Sequence, residues 1–280
     1  MRRRHFSTRV AKVALAGASL LAVSAAPAFA AGILPPNNPS ATIAPSPNFG
    51  YSGLCSGRGS TLSCPNPCWD GRRTAYRNTS ACNAYVEKTI NRARSIEGIA
   101  PMTLPTNWYT LSVPEQLFVL ADLERTARGL PPYLGLNRVL SNSAQRAALT
   151  QNDPSIAAGF AMSPHWSFAS TVTTGTSTTL EADYGWMYDD GWGGSQARTE
   201  NYNCTSPTAS GCWGHRDELL GSDSAYNPGV GLRCTTCEMG TGFAVAQGNA
   251  SFTDLVEHPR AHPPKMYFTW AKNVLPFLHK

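Results

Sequence analysis

The stretch from Gly185-Trp186-Met187 to Gly214-His215-Arg216-Asp217-Glu218-Leu219-Leu220 decides the fold. It sets a tryptophan-bearing helix, a loop holding Cys204 and Cys212, and a histidine-arginine helix start in one fixed order. Gly229-Val230-Gly231 comes next, and Met266-Tyr267-Phe268-Thr269-Trp270 lies near the end of the chain. Both read as core strands, being short apolar runs bounded by turn residues.

Upstream of that stretch the helix punctuation is clear. Thr178 and Glu181 make a capping box that opens a helix carrying Leu180, Tyr184 and Met187 and breaking at Gly191. Ser112-Val113-Pro114-Glu115 makes another, and Val113, Leu117, Leu120, Ala121 and Glu124 then share one face, an apolar stripe ending in a carboxylate. Gly129 caps that helix, and Pro131 and Pro132 prevent its continuation. Asn137 is the N-cap of the next helix, whose Leu140, Ala144, Ala147 and Ala148 suit close packing on a sheet. A further helix is predicted from about Ser80 to Ser95, with Ala81, Tyr85, Ile90 and Ala93 on its buried side. A short helix opens around His215, and Gly240 to Ala246 and Lys265 to Ala271 read as strands. Helices first and strands late predict an α+β chain, an α/β/α sandwich around a central antiparallel sheet.

The ends and the bulk composition bound the function. Arg2, Arg3, Arg4, Arg9 and Lys12, the apolar run Val13 to Ala28, and Ala28-Phe29-Ala30 form a secretory signal over residues 1–30. Removing it takes away five of the 23 Lys+Arg, leaving 18 basic against 18 acidic residues. That balance gives no warrant for nucleic-acid binding, and the mature chain is expected to hold no transmembrane segment. Residues 31–54 form a Pro/Asn/Ser-rich linker, 55–110 a cysteine-bearing, loop-rich segment with one helix, and 111–280 the main domain. The eight cysteines fall into two groups: Cys55, Cys64, Cys68, Cys82, and Cys204, Cys212, Cys234, Cys237. In an exported chain they are expected to pair as disulfides within each group, with zinc at Cys234-Thr235-Thr236-Cys237 as the competing reading.

The ordered motifs resemble the CAP superfamily (cysteine-rich secretory proteins, antigen 5, pathogenesis-related 1). Its bacterial members carry a Trp-Met helix, then Gly-His-Arg, then Gly-Val-Gly. The likeness covers about Leu111 to Val274, and Leu123-Glu124-Arg125 with Gly129-Leu130-Pro131-Pro132 looks like the family's first helix and its turn. The resemblance implies the sandwich fold, an extracellular or cell-wall location, and a cavity where two histidines and two acids can hold a divalent metal. His215 matches one histidine, and His165 in Ser163-Pro164-His165-Trp166 is the candidate for the other. The family's Gly-Glu-Asn acid has no counterpart, since Trp166 to Gly175 holds no carboxylate.

Two imidazoles and a carboxylate suit zinc with an open position for water, and Glu124 or Glu218 would be the general base of a metal-assisted hydrolase. The plainer readings stand beside this: His215 anchoring backbone or packing on Trp213, His165 a loop histidine, Arg216 an ion-pair partner, Glu218 solvated. Asp189-Asp190-Gly191-Trp192 reads as a helix-terminating turn, or as carboxylates around a hard cation. Nucleophilic catalysis has no support, because no Gly-x-Ser-x-Gly elbow is present. The preferred expectation is therefore binding rather than turnover. A cell-envelope glycan, a lipid or a surface protein would meet a groove at His165, Trp186 and His215. A purely structural role is the remaining alternative.

Overall fold

The computed structural model describes residues 68, 76, 78–155, 160–161, 169–174, 178–192, 201, 203–209, 211–221, 236–246, 249–259 and 265–278. For 160–161, 169–174, 246, 249 and 257–259 the description is of the backbone alone. Among the described residues the α-helices are α1 Ser80–Ile96, α2 Val113–Ala127, α3 Arg138–Thr150, α4 Thr179–Tyr188 and α5 Gly214–Leu220. The strands among them are β1 Gly135–Asn137, β2 Phe160–Ala161, β3 Ala169–Thr174, β4 Glu238–Ala246, β5 Asn249–Pro259 and β6 Met266–Thr269. The chain is α+β, as the sequence predicts.

The caps sit where their chemistry demands. Asn137 accepts from Leu140 N at 2.9 Å and opens α3. Thr178 accepts from Glu181 N at 3.1 Å while Glu181 accepts from Thr178 N at 3.0 Å, closing the box that opens α4. Ser112 and Glu115 do the same for α2.

The sheet is mixed, not antiparallel as expected. Its strands are ordered β2-β5-β4-β1-β6, with β3 also on β5. β4 and β5 form a long antiparallel pair from Glu238↔Glu257 to Ala246↔Asn249, yet β1 lies parallel to β4 at Leu136↔Met239. Parallel neighbours need a crossover rather than a hairpin. α3, which follows β1 directly and packs on β4 and β5, begins that crossover. β6 is also shorter than expected. Asn273 Oδ1 accepts the Thr269 N–H at 2.9 Å, and the chain winds into a π-helical turn over Trp270–Val274 instead of extending the strand.

Helices cover both faces. Leu140 and Ala144 of α3 cluster with Leu255, whereas Met239, Phe252 and Val256 join the core under α2 and α4. Alternation along β4 and β5 sends neighbouring side chains to opposite layers. On the α3 side the approach is so close that only glycine fits. A Cβ on Gly240 would lie 2.1 Å from the backbone carbon of Leu140, and one on Gly242 would lie 2.3 Å from that of Ala144. The predicted alanine face of α3 is thus met by two glycines of β4.

Two helix faces differ from the apolar stripes predicted for them. α1 buries Cys82, Asn83, Val86, Ile90, Ala93 and Arg94, while Ala81 is exposed and Tyr85 half-buried. Disulfide Cys68–Cys82 and an inward ion pair of Arg94 rotate the buried face toward residues the stripe omits. α2 buries every residue from Gln116 to Arg125, because it is sandwiched between the sheet and the helices α4 and α5, with Arg94 of α1 reaching Leu123 O and Glu124. The apolar core crosses residue 110 without a break. Val86, Ile90, Met102 and Trp108 share one cluster with Leu117, Phe118 and Leu120.

The second described disulfide is Cys204–Cys212, so both described pairs close within their predicted groups. Cys237 is also oxidised, which removes its thiolate from the zinc reading of the Cys234-Cys237 pair. Among the described residues no helix is long and apolar enough to cross a membrane. The predicted strand at 229–232 lies outside the described residues, as do Cys55, Cys64 and Cys234.

Candidate functional site

α5 is short, and its N-terminal amides are satisfied from a distance in sequence. The chain leaves α4 at Tyr188 and bends through Asp189 and Asp190. The carboxylate of Asp190, a residue only 1% exposed, then accepts from His215 N at 2.8 Å and from Arg216 N at 3.3 Å through Oδ2. Asp190 therefore acts as an N-cap supplied from 25 residues upstream, which also suits the positive end of the helix. Its other oxygen, Oδ1, accepts from Asn201 Nδ2 at 2.7 Å and meets His215 Nδ1 at 2.6 Å. Burial raises the Asp190 carboxyl above the ordinary range, opposed by His215 and the two backbone donors. Three N–H donors, from His215 N, Arg216 N and Asn201 Nδ2, converge on its two oxygens, and His215 Nδ1 meets Oδ1 beside them.

The turn before α5 is built around this contact. Trp213 takes a left-handed backbone, φ 64°, held by its N–H donating to Asp190 O at 2.9 Å. A bulky residue in that region carries strain that its surroundings must hold. Its ring lies over Gly191, where a Cβ would sit 2.1 Å from the indole. Asn201 also donates to Gly211 O at 2.7 Å and to Asp190 O at 3.1 Å. Disulfide Cys204–Cys212 closes the loop that carries Gly211, and Asn201 lies three residues before it. The His215 side chain emerges from this cradle 30% exposed.

Beneath it lies a buried ion network joining four helices. Arg216, fully buried, grips Glu97 at the end of α1 with two bonds, Nη1 to Oε1 at 3.0 Å and Nη2 to Oε2 at 2.5 Å. Arg128 Nη2 reaches the same Glu97 at 3.4 Å, and Arg128 Nη1 bonds Glu124 Oε2 closely. Arg94 pairs with Glu124 at 3.3 Å, and the Tyr188 hydroxyl donates to Glu124 at 2.8 Å. Burial alone would raise the Glu124 carboxyl. Arg128 and Arg94, with hydrogen bonds from Arg128 and Tyr188, outweigh it and hold the group below the ordinary carboxylate range. A second anchor comes from Arg125, whose Nη1 donates to Leu220 O at 2.6 Å and to the Tyr133 hydroxyl at 3.0 Å. The C-terminal end of α5 is thereby tied to α2.

The predicted site residues end up in different surroundings. His215 reaches solvent and is joined by Asp190. Glu124 is fully buried among Arg94, Arg128 and Tyr188, which take up its oxygens. Glu218 is half-buried on α5, one turn beyond His215, and its backbone carbonyl faces the Tyr133 hydroxyl at 3.5 Å. Trp186 is 3% exposed and belongs to the apolar core. His165 lies outside the described residues. Arg216 is the buried ion-pair partner that its chemistry predicts. Asp189-Asp190-Gly191 ends α4 as expected, and its second carboxylate caps the next helix.

Asp190, Asn201 and Glu97 are the partners that sequence spacing did not single out as such. The only signal was the paired carboxylate before Gly191. Among the described residues one group has three metal-type ligand atoms within 4.8 Å of one another, Cys68, Cys82 and Glu181, and its two sulfurs are spent in a disulfide. His215 is the described histidine with a carboxylate behind it, an arrangement that fixes ring orientation in metal ligands and in acid–base residues alike.

Fold and site together define a disulfide-bearing α+β protein that, among the described residues, presents an imidazole beside a buried aspartate. No family model matches the chain, and no curated protein matches it. Among solved structures, venom allergen-like protein 4 of Schistosoma mansoni is similar over 57% of this chain and 97% of its own, with 14% sequence identity and a TM-score of 0.30. At that TM-score the likeness carries no weight for the fold or the function.

Proposed function

We propose that this chain is an exported CAP-like domain that binds a cell-envelope glycan, with the surface around His215 as its working face. The observation that carries the reading is a solvent-reaching imidazole held by a buried, fully engaged carboxylate. An imidazole so oriented presents its exposed part, 30% of the side chain, to a ligand in one fixed direction. The ordered sequence motifs support the CAP-like assignment, and the secretory signal with its disulfides supports export. Lipid and protein ligands are outcomes of the same test.

Turnover has weaker support. Glu124, one of the two bases considered, is ion-paired through Oε2, accepts from the Tyr188 hydroxyl at Oε1, and is held below the ordinary carboxylate range, which suits it poorly for taking a proton. The metal-assisted hydrolase remains as the second reading because the Asp190–His215 pair matches the carboxylate–histidine arrangement behind metal ligands. In that reading His215 and His165 would hold zinc, which would supply an activated water, with Glu218 as base.

Thermal unfolding of the exported chain and of His215→Ala, with zinc and separately with solubilised cell-wall glycan, tests both. A ligand held only by the native state stabilises it by about 2.7 kcal/mol at a hundredfold excess over its dissociation constant. A saturable glycan shift abolished by His215→Ala supports binding. A zinc shift abolished by the same change moves the second reading ahead, and no shift with either ligand retires both.

A further inference from the structure

The seven residues of α5 make about two helical turns, too few to hold an orientation without outside contacts. Leu219 and Leu220 anchor its C-terminal end in the apolar core. At the other end the buried side chain is that of Arg216, next to His215. Adjacent helical residues stand about 100° apart, so whatever fixes the turn of Arg216 fixes that of His215. The Arg216 guanidinium meets Glu97 through two bonds, at 3.0 and 2.5 Å, and donates to Met187 O at 2.7 Å. A two-bond pairing sets the plane of the guanidinium as well as its distance.

Glu97 is itself firmly placed. It is the C-cap of α1, its N–H donates to Ala93 O, and its side chain is 7% exposed. α1 is tied down along its length. Disulfide Cys68–Cys82 holds its first turns, Asn91 bonds both Met102 N and Met102 O, and Arg94 donates to Leu123 O of α2 at 2.8 Å. The anion that meets α5 is therefore presented by a helix that does not turn with it.

We propose that Glu97 is the positioning residue of the His215 face, acting through Arg216 to set the rotation of α5. The inference rests on His215 as the working residue. It assigns part of the working face to segment 55–110, which the sequence set apart from the main domain. Among the described residues Glu97 is the anion paired with the Arg216 side chain. Arg128 shares it at 3.4 Å but keeps Glu124 as a second partner. Without Glu97, the Arg216 side chain retains the Met187 carbonyl and, at 5.4 Å, the Trp213 ring. A buried cation without its anion is strongly unfavourable, so the guanidinium turns toward water. α5 turns with it, and the His215 and Arg216 amides leave Asp190 Oδ2, which they reach at 2.8 and 3.3 Å.

Hydrogen exchange of the full exported chain, without ligand, reads the His215 amide against that of Leu140. The Leu140 amide is bonded to the Asn137 cap on the far side of the sheet and reports general loosening. Glu97→Gln should lower His215 protection about tenfold more than Leu140 protection, the equivalent of one lost hydrogen bond. Glu97→Gln/Arg216→Met separates positioning from charge neutralisation. Replacing both ions restores overall stability, because no buried cation is left unpaired. If Glu97 positions α5, His215 protection stays low in this double variant while Leu140 protection recovers. Where Glu97→Gln alone does not fold, the double variant carries the comparison.

Equal losses at His215 and Leu140 in folded Glu97→Gln overturn the inference. So does His215 protection that returns together with stability in the double variant. A selective loss at His215 with no glycan or zinc shift in the wild-type chain leaves the role of Glu97 standing and removes the binding proposal alone.

Discussion

The two faces of the sheet are packed by opposite means. Toward α3 there is almost no side chain: Gly240 and Gly242 of β4 meet Leu140 and Ala144, with Leu255 completing the contact. Toward α2 and α4 the layer is thick and charged, and the ions Arg94, Glu97, Glu124, Arg128 and Arg216 are buried within it. Backbone-close packing gains its stability from dispersion and tolerates no added volume. A buried ion network gains little net stability over an apolar equivalent, because desolvation consumes most of the Coulomb attraction. What it does fix is arrangement, since each ion is costly anywhere but beside its partner. It ties the ends of α1, α2 and α4 to α5, the helix that carries His215. The tight face sets the spacing of the fold, and the charged face sets the geometry of the site.

The sharpest way to break this contrast is to remove one ion. Glu124→Gln leaves Arg94 and Arg128 buried without their shared anion and should cost about 3–5 kcal/mol in urea unfolding. A loss below about 1 kcal/mol would mean that water reaches the network. On the opposite face, Gly240→Val forces a side chain into the backbone of Leu140 and should cost about 1–3 kcal/mol. A neutral result would show that α3 can slide away from β4.

Titration distinguishes the charged groups from one another. Asp254 of β5 and Asp183 of α4 are both buried, and burial pushes each carboxyl well above the ordinary range. For such a group the folded chain holds the proton more tightly than the unfolded one. Its contribution to stability is complete below the unfolded value, about 3.9, and is lost as pH rises through the folded one. Asp254→Asn should therefore be more stable than the parent above neutral pH, with the gain shrinking toward about pH 4. Denaturation at several pH values reads this, and a gain that grows toward acid would reverse the sign. Glu124 runs the other way. Its lowered proton affinity gives stability that is present above its unfolded value, about 4.3, and lost as pH falls through the folded one.

The smallest expected effect is at a helix end. Thr178→Ala removes the acceptor of Glu181 N and should cost about 1 kcal/mol, visible as a small shift in the urea midpoint with unchanged slope. Asn137→Ala is the matching change on the α3 side. A much larger loss there would show that its bond to Glu238 Oε2, at 2.6 Å, matters as well as the cap.

Local chemistry was legible in the sequence. Ser112-Glu115, Thr178-Glu181 and Asn137 locate three helix starts, because a cap is made by residues within three positions of one another. The alanine face of α3 and the within-group disulfides followed from equally short patterns. β3 and β5 were not legible, since Thr171-Val172-Thr173 and Asn249 to Pro259 carry few strong apolar alternations. They become strands by pairing with each other, from Ala169↔Val256 to Thr174↔Ser251. The buried polar side of α1 escaped for a related reason: a stripe drawn on apolar residues does not count an arginine whose partner lies 30 residues away.

His215 shows the same division within a single residue. Its helix start and its place after Trp213 and Gly214 are written in the sequence, and so is the prospect that it carries chemistry. Its partner is not. Asp190 lies 25 residues upstream and reaches His215 only because α4 ends against α5, with Gly191 making room for Trp213 and Asn201 holding the second oxygen. The sequence alone determined the helix caps, the pairing groups of the cysteines and the identity of the exposed imidazole, because each depends on neighbours along the chain. The tertiary structure alone decided which carboxylates are spent in ion pairs and which one orients the histidine. Those outcomes depend on burial and on contacts between distant segments, and the same Asp or Glu is a solvated charge, a cap or an ion-pair partner according to what is packed around it.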